Sequence, residues 1–268
     1  MKRTQIIAEV GANHGGDMAL AERMIAAAAE AGADWVKFQS WRAETLPADY
    51  PAEDVAYYEK CGLSDADHHR LIRACAENGV RFLTTCFDRG RVHFLSKLDL
   101  DAIKVASPDL GSRRLLRDLR SRFSRLIVST GMAHDEEVFQ AAETLSGADF
   151  TFLHCVSLYP TPPERVNMAR MDWLRTFTPS VGFSDHTLGT EAAKLAIARG
   201  ADFVEKHFTL SRDLPGRDQA VSAEPDEIKD IADHAQAVAE RMGTAHPGLT
   251  DTERELRGRY IGKWGDNR

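Results

Sequence analysis

Residues 181–209 read VGFSDHTLGTEAAKLAIARGADFVEKHFT. Two short apolar runs each end in polar and ionisable side chains. Ser184, Asp185 and His186 close the first; Glu205, Lys206 and His207 close the second. The segment between them, Leu188–Arg199, reads as a helix, and Gly200 supplies its stop. Strand, helix and strand, with chemistry at the same end of both strands, make a βαβ unit.

The exit from that helix, ARGADFVEKH, has counterparts in EAGADWVKF, AENGVRFLTT and LSGADFTFLH. In each, glycine can take the left-handed conformation that ends a helix. Four copies of one cassette argue for repeated βα units. Strands are expected at Gln5–Val10, in ADWVKFQ, and at Arg81–Thr85, Ala102–Ala106, Leu126–Ser129, Phe150–His154, Val181–Phe183 and Phe203–Lys206. Helices alternate with them, including Asp65–Asn78, Asp88–Leu98, Ala169–Thr176 and a last one from about Asp226 to Met242. Ser40–Ser64 reads as a long polar loop. The strands are short and apolar, as suits a sheet buried on both faces. Eight alternations over about 250 residues match a TIM (β/α)8 barrel. The expected fold is therefore α/β: a single-domain barrel over residues 1–245 and a C-terminal tail over 246–268. A doubly wound open sheet is the alternative, and it does not require polar residues at every strand end.

Apolar residues are 43% of the 268 and charged residues 28%, with a formal charge of −7. This is ordinary for a globular protein and gives no reason to expect nucleic acid or an anionic membrane as partner. The start, MKRTQIIAEVGANHGG, has only a short apolar run, broken by Glu9, and does not read as a signal peptide. No run approaches membrane-spanning length. Four cysteines without CxxC spacing are expected to be reduced thiols in a cytoplasm.

Polar side chains close every expected strand: Glu9; Lys37 and Gln39; Thr84 and Thr85; Lys104 and Ser107; Ser129 and Thr130; His154 and Ser157; and the two clusters quoted first. In a TIM barrel, ligands sit at that end. A lysine within an apolar strand is costly to bury without a partner. Lys37 and Lys104, with hydroxyls from Ser107, Ser129 and Ser184, suit a phosphate or carboxylate. Pairing with Glu9 or Glu205 is the structural alternative, and a Schiff-base lysine the chemical one. His186 and His207 end adjacent strands, so their imidazoles can converge on Mn²⁺, Fe²⁺ or Zn²⁺. Asp185 is a further ligand or the acceptor that fixes a histidine tautomer, and His154 with Cys155 is a weaker addition. Glu9 is a candidate general acid or base, or the partner of a barrel lysine. Asn13–Gly16 form a tight turn within reach of a ligand, and Asp17 caps the helix after it. Trp41, Tyr57 and Tyr58 line the mouth or pack the long loop down. His68 and His69 read as surface residues.

The stretches AEVGANHGGDMALAERMIAAAAEAGADWVKFQ, IKVASPD, LIVSTGM, LHCVSLYPTP, GFSDHT, VEKHFT and LPGRDQAVSAEPDE together resemble the sialic acid synthase (N-acetylneuraminate synthase) family, over residues 5 to about 240. The resemblance implies a TIM barrel that condenses phosphoenolpyruvate with an open-chain aldose, N-acylated hexosamine-type or related. The products would be a 2-keto-3-deoxy sugar acid and phosphate, and the cofactor a divalent cation, typically Mn²⁺. It also implies His186 and His207 as metal ligands and Glu9 as the catalytic glutamate. Lys37, Lys104, Ser107, Ser129 and Ser184 would hold phosphoenolpyruvate, and Gln39, Tyr159 and Asp218 the acceptor sugar. Asp109 stands where members acting on N-acetylmannosamine usually have Glu, and Ser157 where they usually have Asn; both departures fall near the acceptor. Typical members continue into an antifreeze-like domain that reaches across a dimer with an arginine for the acceptor. The expectation here is the barrel domain only, lacking the antifreeze-like domain, with the tail TERELRGRYIGKWGDNR or another protein in place of that arginine; a homo-oligomer stays open. Other readings are a non-catalytic sugar-phosphate-binding barrel, a subunit of a larger synthase, or a metal-dependent aldolase or hydrolase on the same fold.

Overall fold

Eight strands pair in sequence order, all parallel, and β8 returns to β1 to close a barrel. The computed structural model describes residues 2–243, 248–262 and 264–265. The strands are β1 (Gln5–Gly11), β2 (Trp35–Ser40), β3 (Arg81–Cys86), β4 (Ile103–Val105), β5 (Arg125–Ser129), β6 (Asp149–Cys155), β7 (Val181–Asp185) and β8 (Phe203–His207). Around them run α1 (Met18–Glu30), α2 (Ala52–Cys61), α3 (Asp65–Glu77), α4 (Val92–Leu95), α5 (Arg113–Arg120), α6 (Asp135–Leu145), α7 (Arg170–Leu174), α8 (Glu191–Ala198) and α9 (Pro225–Met242). The expected TIM barrel is the fold. The domain boundary expected at residue 245 lies outside the described residues. Beyond it, α10 (Asp251–Tyr260) forms a helix with no buried residue.

Local chemistry sets these elements. Asp17 accepts from the amides of Ala19 and Leu20 and so caps α1, whose Ala21, Met24, Ile25 and Ala28 are buried at helical spacing. Ser64 and Asp67 form a capping box on α3. All four cassette glycines, Gly32, Gly79, Gly147 and Gly200, take positive φ, between 71° and 90°, where a Cβ would be strained.

Two elements and one residue differ from expectation. The long loop contains α2, which begins directly after its N-cap residue Pro51 and carries Glu53 and Asp54 in its first turn, where the helix dipole favours acidic side chains. The expected 88–98 helix shrinks to one turn, α4. His68 is wholly buried: it lies against Phe82 and Phe94, and its Nδ1 bonds the Ser64 carbonyl oxygen at 2.8 Å. His69, its neighbour, is exposed.

Strand alternation divides the core in two. Outward residues such as Ile6, Val36, Val105 and Val204 pack against the helices. Inward residues Ile7, Trp35, Leu83, Ala102, Ile127, Leu153 and Phe203 form a separate apolar floor inside the barrel. Two residues further along each strand, on the same face, stand Glu9, Lys37, Thr85, Lys104, Ser129, Cys155 and Glu205. The barrel changes from apolar floor to ionic cavity within one pleat repeat.

Candidate active site

A cavity of ≈ 320 Å³ opens above that floor at the C-terminal ends of the strands, where this fold holds its ligands. Of the expected site residues, Glu9, Lys37, Gln39, Lys104, Ser107, Ser129, Ser157, Tyr159, Ser184, His186 and His207 all line it. Asp109 and Asp218 are not among the lining residues. The Asp109 carboxylate instead accepts from Ser112 Oγ at 3.2 Å, and burial raises the Asp218 carboxyl despite the nearby His186 and Arg217. The Asn13–Gly16 turn also lies off this cavity. Asn13 Nδ2 bonds the Phe208 carbonyl oxygen and Ser222 Oγ, each at 2.9 Å.

Charge in the cavity is arranged around Glu205. Lys37 Nζ is 3.3 Å from Glu9 Oε2, 3.2 Å from Glu205 Oε2 and 3.3 Å from Thr85 Oγ1. The pairing alternative for Lys37 is thus realised with both carboxylates. Lys104 Nζ donates to Ser129 Oγ at 2.6 Å and to the Val105 carbonyl at 2.9 Å, with Glu205 Oε1 at 4.0 Å. Ser184 Oγ donates to the same Oε1 at 2.9 Å. Burial pushes both carboxylates up. For Glu205 the two lysines and Ser184 reverse the shift and hold it ionised. For Glu9 burial wins, with the negative Glu205 adding to it, so its carboxyl stands well above the usual range. Burial lowers Lys104 to about 8 although Glu205 opposes it. It also pulls Lys37 down, but Glu205 and Glu9 more than offset that. The cavity therefore holds two ammonium groups against one firmly ionised carboxylate, a balance that favours an anion.

From the sequence, Glu205 is expected only as the alternative partner of a barrel lysine, not as the shared counter-charge of both. Its signal is the alternation of FVEKH, which puts Glu205 on the face of His207. Lys206 takes the other face. Its Nζ bonds Asp185 Oδ2 at 2.8 Å and the Thr187 carbonyl at 2.6 Å, on the helix side of the wall. Asp185 also accepts from the Thr187 amide at 2.8 Å. The expectation of Asp185 as ligand or tautomer-fixing acceptor fails, because strand alternation turns it out of the cavity. His154 faces outward as well, with Nε2 2.6 Å from the Val166 carbonyl oxygen, whereas Cys155 faces in.

Ser107 Oγ accepts from the Gly131 amide at 3.0 Å and lies 3.7 Å from Cys155 Sγ. A Cβ on Gly131 would come within 2.4 Å of Ser157 Oγ, 2.9 Å of Ser107 Oγ and 3.0 Å of Cys155 Sγ. The backbone approaches these groups as closely as only glycine allows. Gln39 Nε2 donates to Glu9 Oε1 at 2.7 Å, which leaves Oε2 turned to Lys37.

The His186 and His207 rings stand 5.6 Å apart, centre to centre, with the Tyr159 ring 4.1 Å from His186. His186 Nδ1 donates to the Val156 carbonyl oxygen at 2.9 Å, which leaves Nε2 as the lone-pair nitrogen. His207 Nδ1 is buried without a hydrogen-bond partner. Burial, with His186 and Lys37, lowers this imidazole to about 3, so it is neutral. Burial lowers the His186 imidazole, but Cys155, the Val156 carbonyl oxygen and Glu205 more than offset that. The two imidazoles, one with an orphaned buried nitrogen, supply nitrogen ligands that fit a divalent cation keeping open positions. No group of three or more His, Cys, Asp and Glu side chains converges as a cage among the described residues.

Residues 24–247 match the NeuB family. The chain belongs to the NeuB family. This NeuB-family chain is 36% identical over 273 residues to the N,N'-diacetyllegionaminic acid synthase of Legionella pneumophila, covering 94% of itself and 77% of that protein. It is 32% identical to the human N-acetylneuraminate-9-phosphate synthase, covering 92% of itself and 74% of that protein. The structure superposes with a TM-score of 0.90 on the N-acetylneuraminic acid (sialic acid) synthetase of Leptospira borgpetersenii in complex with citrate. That pair is 31% identical and covers 96% of this chain and 91% of that one. No described helix of this NeuB-family barrel is long and apolar enough to cross a membrane.

Proposed function

We propose that this protein condenses phosphoenolpyruvate with an open-chain aldose, forming a 2-keto-3-deoxy sugar acid of the sialic-acid type and releasing phosphate. The observation that carries the reading is the ionic cavity itself. Lys37 and Lys104 share a single firmly ionised carboxylate, Glu205, beside the paired imidazoles of His186 and His207.

In this reading Lys37 and Lys104 neutralise phosphoenolpyruvate, and Ser107, Ser129 and Ser184 hydrogen-bond its oxygens. The Ser107 hydroxyl is oriented for this by the Gly131 amide. His186 and His207 hold a divalent cation, Mn²⁺ being the expected ion. When bound, that ion supplies Lewis-acid polarisation of the aldehyde. The methylene carbon of phosphoenolpyruvate attacks the aldehyde carbon, forming the new C–C bond. Water adds to the resulting cationic C2. The C2–O bond to phosphate then breaks, leaving the keto group and inorganic phosphate. Glu9, its carboxyl raised and its Oε1 held by Gln39, takes the proton from the adding water or gives it to the new hydroxyl. Gln39, Ser157 and Tyr159 contact the acceptor; Asp109 and Asp218 approach it through the loops that bear them.

The test is phosphate release from phosphoenolpyruvate and Mn²⁺ across a panel of aldoses, with mass spectrometry of the product. Stoichiometric, aldose-dependent release is expected. A borohydride-trapped lysine adduct would instead support the Schiff-base reading suggested by the lowered Lys104 ammonium. Phosphoenolpyruvate left intact by every aldose would overturn the synthase.

A further inference from the structure

The Asn13–Gly16 turn stands off the cavity, yet it grips the segment that carries one of the paired imidazoles. The register between β1 and β8 ends at Glu9 opposite His207. One residue on, the Phe208 amide donates to the Glu9 carbonyl at 2.7 Å. There β1 departs. Gly11 takes a φ of 54°, and the chain turns through Asn13, whose amide donates to the Val10 carbonyl at 2.9 Å. This turn brings the Asn13 side chain back over the end of β8. Its Nδ2 donates to the Phe208 carbonyl and to Ser222 Oγ, each at 2.9 Å. A side-chain amide thus continues the seam of the barrel where the strand has left it.

The chain after Asp218 holds the other edge of the same segment. The Ala223 amide donates to the His207 carbonyl at 2.7 Å, and the Thr209 amide to the Ala223 carbonyl at 2.9 Å. Ser222, which Asn13 grips, directly precedes Ala223. Its hydroxyl donates in turn to the Asp218 carbonyl at 2.7 Å. Gln219 Nε2 donates to the Asn13 carbonyl at 2.9 Å. Asn13, Phe208, Ser222 and Gln219 form one clasp, and all four are buried.

The two imidazoles are not supported alike. His186 is turned by the bond from its Nδ1 to the Val156 carbonyl. His207 Nδ1 has no hydrogen-bond partner. A metal-ligating histidine is ordinarily oriented through its second nitrogen; at His207 the backbone must do that work. The backbone there is fixed by the clasp, on one edge through Phe208 and on the other through Ser222 and Ala223. Resting on the synthase reading above for the cation, we infer that Asn13 is a positioning residue. It never touches the cavity, and it aims the His207 imidazole at the divalent cation by holding the chain that bears it.

Calorimetric titration of the metal-stripped protein with Mn²⁺, and separately with inorganic phosphate, tests this. Asn13→Ala should weaken Mn²⁺ binding about 10- to 100-fold, the scale for losing a group that orients a metal ligand. Its phosphate affinity should stay within twofold of wild type, because no bond of the clasp reaches Lys104, Ser107 or Ser129. Both affinities falling together would mark a general loss of structure and overturn the assignment, as would an unchanged Mn²⁺ affinity. Ser222→Ala removes one grip and leaves the Phe208 bond, so it should weaken Mn²⁺ in the same direction. It decides the matter if Asn13→Ala does not fold: weakened Mn²⁺ binding supports the inference, and wild-type binding overturns it. If no aldose turns over, the synthase reading fails by itself, and a selective loss of Mn²⁺ in these variants still carries the role of Asn13. A wild type that binds no Mn²⁺ overturns the cation site and that role together.

Discussion

Lys37 Nζ sits 3.2 Å from Glu205 Oε2, both side chains nearly excluded from solvent. Glu205 is also the nearest counter-charge of Lys104. One carboxylate thus holds two buried cations. Glu205→Gln should cost about 3–5 kcal/mol, the scale for removing one partner of a buried pair. It should also enlarge the thermal stabilisation given by inorganic phosphate, which would supply the missing negative charge. Thermal unfolding with and without phosphate measures both. A variant as stable as wild type would show that the lysines do not depend on Glu205.

Gly131 lies where Ser107, Ser157 and Cys155 converge. Gly131→Ala must displace at least one of them. The KM for phosphoenolpyruvate is expected to rise at least ~10-fold, the cost of losing about one charge-assisted hydrogen bond. Gly258→Ala, at a position with open space around it and no positive φ, controls for the methyl group alone. Unchanged kinetics in Gly131→Ala would separate Ser107 from substrate binding.

His14 predicts a pH dependence of stability. Burial lowers its imidazole to about 4 against the opposing Asp67 and Asp17. Its Nδ1 accepts from the Gly16 amide at 3.1 Å, and protonation there would break the turn. The unfolded chain binds this proton near pH 6.5. Between pH 6.5 and 4 the unfolded state therefore holds more protons at this position than the folded state. The contribution is intact above pH 6.5 and falls toward pH 4, by at most about 1.4 kcal/mol per pH unit. His14→Asn keeps an acceptor that does not titrate, so its denaturant midpoints should lose less across that window. A slope equal to wild type would mean that His14 takes no proton on unfolding.

His207→Ala removes one imidazole of the pair. It should abolish turnover and lower the Mn²⁺ bound per chain, measured by elemental analysis after desalting. Full activity in a metal-stripped preparation would remove the cation from the reading.

Glu9→Gln preserves the shape beside Gln39 and deletes the proton carrier. Turnover should fall by at least ~100-fold, the usual scale for losing a general acid–base. Phosphoenolpyruvate binding, followed by calorimetry, should persist. Wild-type rates in Glu9→Gln would take this residue out of the chemistry.

The fold is legible because two periodicities agree: glycine-terminated helices alternate with strands that carry an apolar floor residue two positions before a polar one. Ile7 before Glu9 and Trp35 before Lys37 are such pairs. The same alternation, followed through FVEKH, distinguishes Glu205 from Lys206, and a reading by proximity to the histidines misses it. Helix α2 is obscured because Pro51, which starts it, also reads as a loop residue. His68 is recoverable from spacing: it shares a helix face with Leu71 and Cys75, both buried. The Arg42–Asp88 pair is not recoverable, because it joins segments 46 residues apart and depends on how the long loop folds over the mouth.

The Asp185–Lys206 clamp lies on the helix side of the wall, insulated from the cavity by the strands that bear it. It ties β7 to β8 in a single register whatever the inner face carries. A one-residue deletion in β8 would exchange the faces, sending an ammonium into the pocket and an imidazole among the helices. Substitution leaves the clamp untouched. This wall can therefore be retuned toward a new sugar by point changes, while changes of length within its strands are closed to it.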